Sequence, residues 1–199
     1  PTVDDLTRAM GNVAFYYQGR VIENIRISNT VDAYAVNGWE SMKLENHSGI
    51  VDNYRYPKGD VEVMARYNQP LFLAVKMNRK VLNVGDTTIV DTYIVNEKNL
   101  KGNYSLQLIA KDAEGTVLAT HVSSVHVKGG NVYGQCLQIG WNFVPRATGY
   151  VCIEAKLVKG KKTFATGDDS LFAVSLNTKG ITANGSIAVS YTHLRAHET

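Results

Sequence analysis

The chain of 199 residues is 44% hydrophobic, which allows one or two domains with a buried core. Its 21 basic and 18 acidic residues nearly balance, and no basic tract occurs, so the composition points away from nucleic acid and membrane surfaces as partners. No long apolar run and no Cys/His spacing typical of a metal site occur, so we expect no membrane-spanning helix, no metal and no cofactor.

The first segment has the period of a helix. Apolar side chains recur every three or four residues and share one helical face: Val3, Leu6, Met10, Val13, Tyr17 and Val21. Asp4 and Asp5 suit the positive first turn of such a helix, and Asn29 is a stop signal.

A short apolar run, Ala33–Val36, follows and predicts a strand that is buried on both faces. A polar loop covers residues 37–53, and Pro57 and Asp60 introduce a second helix at about Val61–Tyr67. Helix, strand, loop and helix in this order form one step of an α/β architecture.

After Pro70 the pattern changes to period two and predicts seven or so short strands, as in an all-β, immunoglobulin-like sandwich. Asp112–Gly115 has the chemistry of a hairpin turn, and Gly167–Asp169 is interpreted as a turn between the last two runs, Phe164–Ala165 and Leu171–Leu176. Trp141 shares a face with apolar neighbours, which favours a place in the core.

Two cysteines lie in neighbouring strand-like runs of this region. If these runs form a hairpin about residues 144–148, Cys136 and Cys152 are offset by a few residues, so the spacing does not favour a disulfide. His121 and His126 fall on opposite faces of one strand and therefore do not form a metal site.

The loop after the predicted buried strand carries the most specific residues. Gly38-Trp39-Glu40 is followed by Ser48-Gly-Ile-Val-Asp52 and then by Arg55-Tyr-Pro-Lys58. In this order the segments resemble the C-terminal part of a glycoside hydrolase of family 2, of the β-galactosidase type, and the resemblance covers roughly residues 1–176. It implies a partial (β/α)8 barrel end over residues 1–69 and an immunoglobulin-like sandwich over 70–178. Residues 179–199 are interpreted from their own composition as a Gly-, Asn- and Thr-rich linker and a non-native tail, because Ser190–Thr199 does not continue the pattern.

The resemblance also implies an activity: retaining hydrolysis by two glutamates, one acid/base and one nucleophile. Both would lie upstream of Pro1, so we expect the chain alone to be inactive and to need the remaining barrel of its parent chain. A galactoside-type oligosaccharide is the implied partner of the parent enzyme, and a bacterial periplasm or the cell exterior is the implied location.

The predicted substrate-binding residues are Trp39, Glu40, Asn37 and His47. Trp39 would form a platform under a sugar ring, at the strand end where barrel sites form, although it could instead close the barrel core. Glu40 would accept a hydrogen bond from a sugar hydroxyl or form a surface ion pair. Asn37 is more typical of a turn residue, and His47 of a solvated loop.

Two other interpretations concern the same carboxylates and the sandwich. Asp52 and Arg55 are predicted to pair and to lock the loop, whereas Glu40 and Glu45 make a poor catalytic pair because nothing in one loop fixes their separation. The alternative function is a non-catalytic binding or structural module of a carbohydrate-active protein. A binding role would require the sandwich to expose a row of its aromatic residues, Tyr133, Trp141, Tyr150 and Phe164.

Overall fold

The computed structural model describes residues 2–45 and 48–175, which form two helices and eight strands. In chain order these are α1 (Val3–Ile27), α2 (Val61–Tyr67), β1 (Leu71–Met77), β2 (Val81–Asn83), β3 (Thr88–Asn96), β4 (Gly102–Asp112), β5 (Val117–Val127), β6 (Gly134–Phe143), β7 (Gly149–Lys159) and β8 (Lys162–Val174). The predicted tail, 179–199, lies outside the described residues.

Helix α1 begins and ends at the signals that its sequence carries. The Thr2 hydroxyl accepts a hydrogen bond from the Asp5 amide, and the Asp5 carboxylate accepts one from the Thr2 amide, so that a capping box closes the first turn. The helix ends at Ile27, and Asn29 follows with φ 57°. The left-handed conformation, which asparagine tolerates well, stops the helix as predicted.

Two opposite sides of α1 are apolar, and only one of them is covered. Phe15, Ile22 and their neighbours pack against Met64 and Tyr67 of α2. Gly11 and Gly19 permit this approach, because a Cβ at either position would lie 2.0 Å from Lys58 O or from the Tyr67 ring. The predicted apolar face points the other way and is exposed at Val3, Leu6, Val13, Tyr17 and Val21.

The predicted strand at 33–36 is not a strand in the structure. Residues 33–36 are irregular and exposed, because in the described part of the chain no strand pairs with them. The second helix, by contrast, spans Val61–Tyr67 as predicted, and the Asp60 carboxylate caps it by accepting from the Glu62 amide.

The predicted sandwich is present as two sheets. A three-stranded sheet has the order β1-β3-β6, and a five-stranded sheet has the order β2-β8-β7-β4-β5. Alternate side chains of both sheets meet in one apolar core, whose fully buried members include Leu73, Ile94, Leu106, Leu108, Ile153 and Leu157. The Asp112–Gly115 turn joins β4 to β5 as predicted, with the Gly115 amide bonded to Asp112 O at 3.1 Å.

Two features of the sandwich differ from the sequence prediction. The runs that contain Cys136 and Cys152 do not form a hairpin: β6 and β7 belong to different sheets, since the segment through Pro145 crosses between the sheets. Both thiols are free. The Gly167–Asp169 segment is not a turn but the middle of the continuous 13-residue strand β8.

A buried group of charges joins α1 to the sandwich. Arg20 Nη2 lies 2.6 Å from Asp169 Oδ2 and donates to Val75 O at 2.6 Å, which links the helix to β8 and β1. Glu23 is also buried and pairs with Lys76 at 2.7 Å. Burial raises the pKa of Glu23, while the nearby Arg20 and Lys76 oppose that rise.

Candidate functional site: the loop that carries Trp39 and Glu40

The loop from Gly38 to Lys58 folds back on itself through its main chain. Trp39 O accepts hydrogen bonds from the amides of Ile50 and Val51, at 2.9 and 3.1 Å. Val51 is buried and forms isolated bridges with Glu40 on one side and Pro57 on the other. The three motif segments therefore meet at Val51, which fixes where Trp39 and Glu40 leave the backbone.

Lys58 holds the outer part of this loop. Its ammonium donates to Ser41 Oγ at 2.7 Å, to Met42 O at 3.1 Å and to Ser48 O at 3.0 Å, and also to Glu45 O. The residue is only 3% exposed, and burial lowers the pKa of its ammonium. Four oxygens around one buried cation hold Ser41, Met42, Glu45 and Ser48 in place around Lys58.

The predicted pairing of Asp52 with Arg55 is wrong. The buried Asp52 carboxylate instead accepts hydrogen bonds from the amides of Tyr54 and Tyr56, both at 2.9 Å, and so organises its own turn. Arg55 takes φ 66° within that turn and points its guanidinium at Glu40, 3.9 Å away. The Oδ1 atom of Asp52 is thus occupied by two amides of its own turn, as is typical of an Asx turn.

The predicted site residues lie on an open surface. Trp39 is 63% exposed, Asn37 is exposed, and Glu40 has the exposed Arg55 beside it. His47 lies outside the described residues. Tyr54 and Tyr56, on the same loop, are exposed as well. The structure thus presents Trp39 and Glu40 side by side in the chain, with most of the Trp39 side chain open to solvent.

The nearest described cleft, of about 430 Å³, lies between the loop and the start of α1. It is lined by charged residues that include Asp4, Asp5, Arg8, Lys43 and Asp52, and Trp39 is not among its walls. The Lys43 ammonium of the loop forms an ion pair with Asp4 of α1 across this cleft. This cleft is therefore a solvated seam between two elements, and it does not extend the surface around Trp39.

Chemically, the loop offers an apolar plane beside a carboxylate. An indole suits the C–H face of a sugar ring, and a carboxylate accepts hydrogen bonds from hydroxyls. Glu45, the other carboxylate of the loop, accepts from Ser48 Oγ at 3.0 Å and belongs to the internal bonding of the loop. The described part of the loop therefore exposes an indole next to a carboxylate, and it does not place two carboxyl groups opposite each other, as glycoside hydrolysis needs.

The sandwich does not expose a row of aromatic side chains. Trp141 is partly buried and stacks on His121, with ring centroids 5.8 Å apart, and Phe164 packs on Tyr104. Tyr133 and Tyr150 are exposed but lie apart: Tyr150 is on β7, whereas Tyr133 lies in the loop just before β6 of the other sheet. His126 is exposed and bonded to Asn103, so the two histidines of β5 point apart as predicted.

Residues 2–45 and 48–175 contain no group of three His, Cys, Asp or Glu side chains that could hold a metal ion. Neither helix in these ranges is long and apolar enough to cross a membrane.

Sequence reasoning missed Lys58 and the Arg20–Asp169 pair. Lys58 was visible only as part of a Pro-Lys-Gly turn, and nothing local shows that its four acceptors lie 10 to 17 residues away. Arg20, Glu23 and Arg26 recur at three-residue spacing on α1, which is a helical period carried by charges. That period is the signal that could have revealed a second, charged contact face.

Comparisons with known proteins yield partial likenesses. No protein-family model matches the chain, and no curated protein sequence matches it. Similar solved structures include a glycosyl hydrolase family 2 member from Bacteroides cellulosilyticus (TM-score 0.38, 15% identity, 52% of this chain and 15% of that chain). A β-glucuronidase of glycoside hydrolase family 2 gives TM-score 0.40 and 16% identity over 51% of this chain and 11% of its own.

A third similar structure is the CARDB domain of a Pyrococcus furiosus protein, with TM-score 0.37, 16% identity, and coverage of 53% of this chain and 94% of that domain. The chain spans less than a fifth of the two family 2 structures. Overlaps of this size carry no argument about function.

Proposed function

We propose that the chain is the C-terminal part of a family 2 glycoside hydrolase of the β-galactosidase type, with the barrel end at 1–69 and the sandwich at 70–178. The observation that carries the proposal is the two-sided apolar character of α1. Phe15 and Ile22 are buried on one side, while Val13, Tyr17 and Val21 are more than half exposed on the other. A helix that carries apolar side chains on two opposite sides normally buries both of them.

The segment after α1 supports the same proposal. Val31, Tyr34, Val36, Met42 and Leu44 are all exposed within one stretch. Scattered exposed apolar side chains are ordinary, but a continuous group marks a surface that another layer covers. The remaining barrel of the parent chain supplies that layer, and the apolar run at 33–36 becomes a barrel strand only when neighbouring strands pair with it.

In this proposal the loop is one wall of a sugar subsite. Trp39 lies under the ring of a galactoside, and Glu40 accepts a hydrogen bond from a hydroxyl, released from Arg55 or shared with it. Asn37 and His47 border the same subsite. The two catalytic glutamates lie upstream, so the chain alone binds weakly and does not hydrolyse.

Fluorescence tests the subsite, because the chain contains only two tryptophans. In the Trp141→Phe variant Trp39 is the only tryptophan, and methyl β-galactoside should change its emission at millimolar concentration. The Trp39→Phe variant is the matched control and should not respond. A response from the control alone would contradict the assignment of Trp39.

Activity and gene context test the rest of the proposal. The purified chain should not release aryl alcohol from aryl β-galactosides, and turnover above the blank would contradict the placement of the catalytic glutamates. The coding sequence upstream of Pro1 should contain a glutamate at a strand end shortly before it and an Asn-Glu pair further away.

A further inference from the structure

We propose that β5 is a self-association edge, which pairs antiparallel with β5 of a second copy of the chain about a twofold axis at Val122. Among the described strands, β5 is the last one of the five-stranded sheet and pairs with β4 alone. His126 O accepts from Gln135 Nε2 at 2.7 Å, so this oxygen faces away from β4, and by the alternation of the backbone we infer that the main-chain groups of the even-numbered residues face outward.

The other three sheet edges in the described part of the chain are protected. Strand β2 has three residues and follows the charged pair Arg79-Lys80. On β1, Arg20 donates to Val75 O, and Gly167 lies against Leu73 O. Strand β6 has two register shifts against β3. Shortness, charge, coverage and irregularity are the devices by which natural sheets prevent edge-to-edge pairing.

Strand β5 has few of these devices. It is eleven residues long, and its sequence contains no charged residue, no proline and no glycine. Its register with β4 is regular from Gly102–Val127 to Ala110–Ala119, with one shift only at the far end. Its outward row is exposed and uncharged: Leu118, Thr120, Val122, Ser124 and His126. An edge that is long, regular and uncharged is a template for another strand.

The sequence of β5 identifies a second copy as its partner. Read from Val122 in both directions, the strand matches in residue type at three of its five pairs: Thr120 with Ser124, Ala119 with Val125, and Val117 with Val127. The other two pairs, Leu118 with His126 and His121 with Ser123, differ in type. At the centre Val122 meets Val122, hydroxyl faces hydroxyl on either side of it, and no like charges meet, so the central pairs are favourable cross-strand pairs.

This pairing is weak and depends on concentration. The outward-facing residues 120, 122 and 124 would exchange about six main-chain hydrogen bonds with the second copy. Such a contact is smaller than a stable interface of roughly 1,600 Å². The existing bond between Gln135 and His126 O limits the ladder at each end. This self-association is independent of the proposed barrel and of the proposed sugar subsite.

Cysteine cross-linking tests the register in the full chain, with Cys136 and Cys152 first replaced by serine. Val122→Cys should form a disulfide-linked dimer under mild oxidation, because the two Cα atoms of the central pair would be about 5.5 Å apart. Val81→Cys, an equally exposed valine on the β2 edge, is the matched control and should stay monomeric.

A mixing experiment distinguishes the twofold register from random contact. Thr120→Cys alone should not cross-link, since its own copy would lie four residues along, about 14 Å away. A mixture of Thr120→Cys with Ser124→Cys should yield the mixed dimer as the main product. Equal cross-linking of all three combinations, or of Val81→Cys, would overturn the proposal.

Sedimentation of the unmodified chain provides the second measurement. The dimer should be absent in Val122→Lys at the concentration at which the unmodified chain is half dimeric, and Val13→Lys on α1 should retain it. A chain that stays monomeric into the millimolar range, or a dimer that Val13→Lys abolishes and Val122→Lys does not, would overturn the assignment of β5. The cysteine variants keep the test valid if Val122→Lys is misfolded.

Discussion

Arg20 of α1 and Asp169 of β8 are 149 residues apart in sequence and form a 2.6 Å ion pair that is almost completely buried. The Tyr16 hydroxyl donates to the same carboxylate at 2.8 Å, and Lys80 lies 2.6 Å from it. Buried charges are costly unless they are paired and hydrogen-bonded. Here Tyr16 and Arg20 donate hydrogen bonds to the Asp169 carboxylate, and Lys80 forms an ion pair with it. The contact between helix and sandwich therefore depends on this carboxylate.

Asp169→Asn should lower the free energy of unfolding by about 3–5 kcal/mol, the usual cost of removing one partner from a buried pair. Urea denaturation measures it. Asp86→Asn, which removes an exposed pair with Arg79 at 3.5 Å, is the matched control and should cost less than about 1 kcal/mol. Similar losses in both variants would show that Asp169 is not critical.

Tyr16→Phe should flatten the alkaline limb of the stability profile. Burial first, and then the hydrogen bond to Asp169, raise the pKa of Tyr16 well above its usual value near 10. A raised pKa in the folded state stabilises the fold fully below pH 10, and this contribution is lost as the pH rises further. Urea denaturation between pH 7 and 11 should show a smaller alkaline loss in Tyr16→Phe than in the control, the exposed Tyr17→Phe.

Gly11→Ala should destabilise the chain even though alanine favours helices by about 1 kcal/mol over glycine. The new Cβ would lie 2.0 Å from Lys58 O, which is main chain and cannot rotate away. The Lys58 turn would have to move. Thermal denaturation should show a lower Tm, whereas Asn24→Ala, at an exposed position of the same helix, should not lower it. A rise in Tm for Gly11→Ala would mean that α1 and the loop are not in contact.

Substitution on the covered side of α1 should lower the free energy of unfolding, whereas substitution on its exposed side should leave it nearly unchanged. Val13→Lys should change the free energy of unfolding of the chain by less than about 0.5 kcal/mol and improve its solubility, because the side chain is already in water. Phe15→Ala should cost about 3–5 kcal/mol, because Phe15 is fully buried. A large loss for Val13→Lys would mean that the exposed side is covered in the chain itself.

Lys58→Met should loosen the loop without unfolding the sandwich. The methionine keeps the length of the side chain but donates nothing to the four oxygens of the 41–48 segment. Hydrogen exchange of Ile50 and Val51 should accelerate by at least about tenfold, the equivalent of one lost charged hydrogen bond. Lys43→Met, which removes an exposed pair with Asp4, is the control.

Local signals predicted the local parts of the fold. Helix α2 and the turn at Asp112 are correct because their capping and turn residues act within a few positions. The strand expected at 33–36 is absent because a strand needs neighbours that no local pattern supplies. The continuous β8 was divided at Gly167, since a glycine that allows close approach to Leu73 reads like a turn residue.

The candidate site was predicted in part for the same reason. Trp39 and Glu40 lie together because they are adjacent in sequence, and Val51 fixes their backbone. The predicted partner of Arg55, Asp52, was wrong. The turn imposes a φ of 66° on Arg55, and its guanidinium lies near Glu40, which the sequence pattern does not show. Lys58 could not be assigned, because its acceptors are mostly carbonyl groups, which every residue has.

Two adjacent aspartates near the centre of β8 connect the sandwich to both helices. The adjacent residues Asp168 and Asp169 contact different helices. Arg66 Nη1 of α2 donates to both carboxylate oxygens of Asp168, each at 2.9 Å, and Asp169 accepts from Arg20 of α1. A movement of either helix relative to the sandwich must therefore break its contact with β8 or move β8 with it. Two adjacent residues of one strand therefore couple both helices to the sandwich.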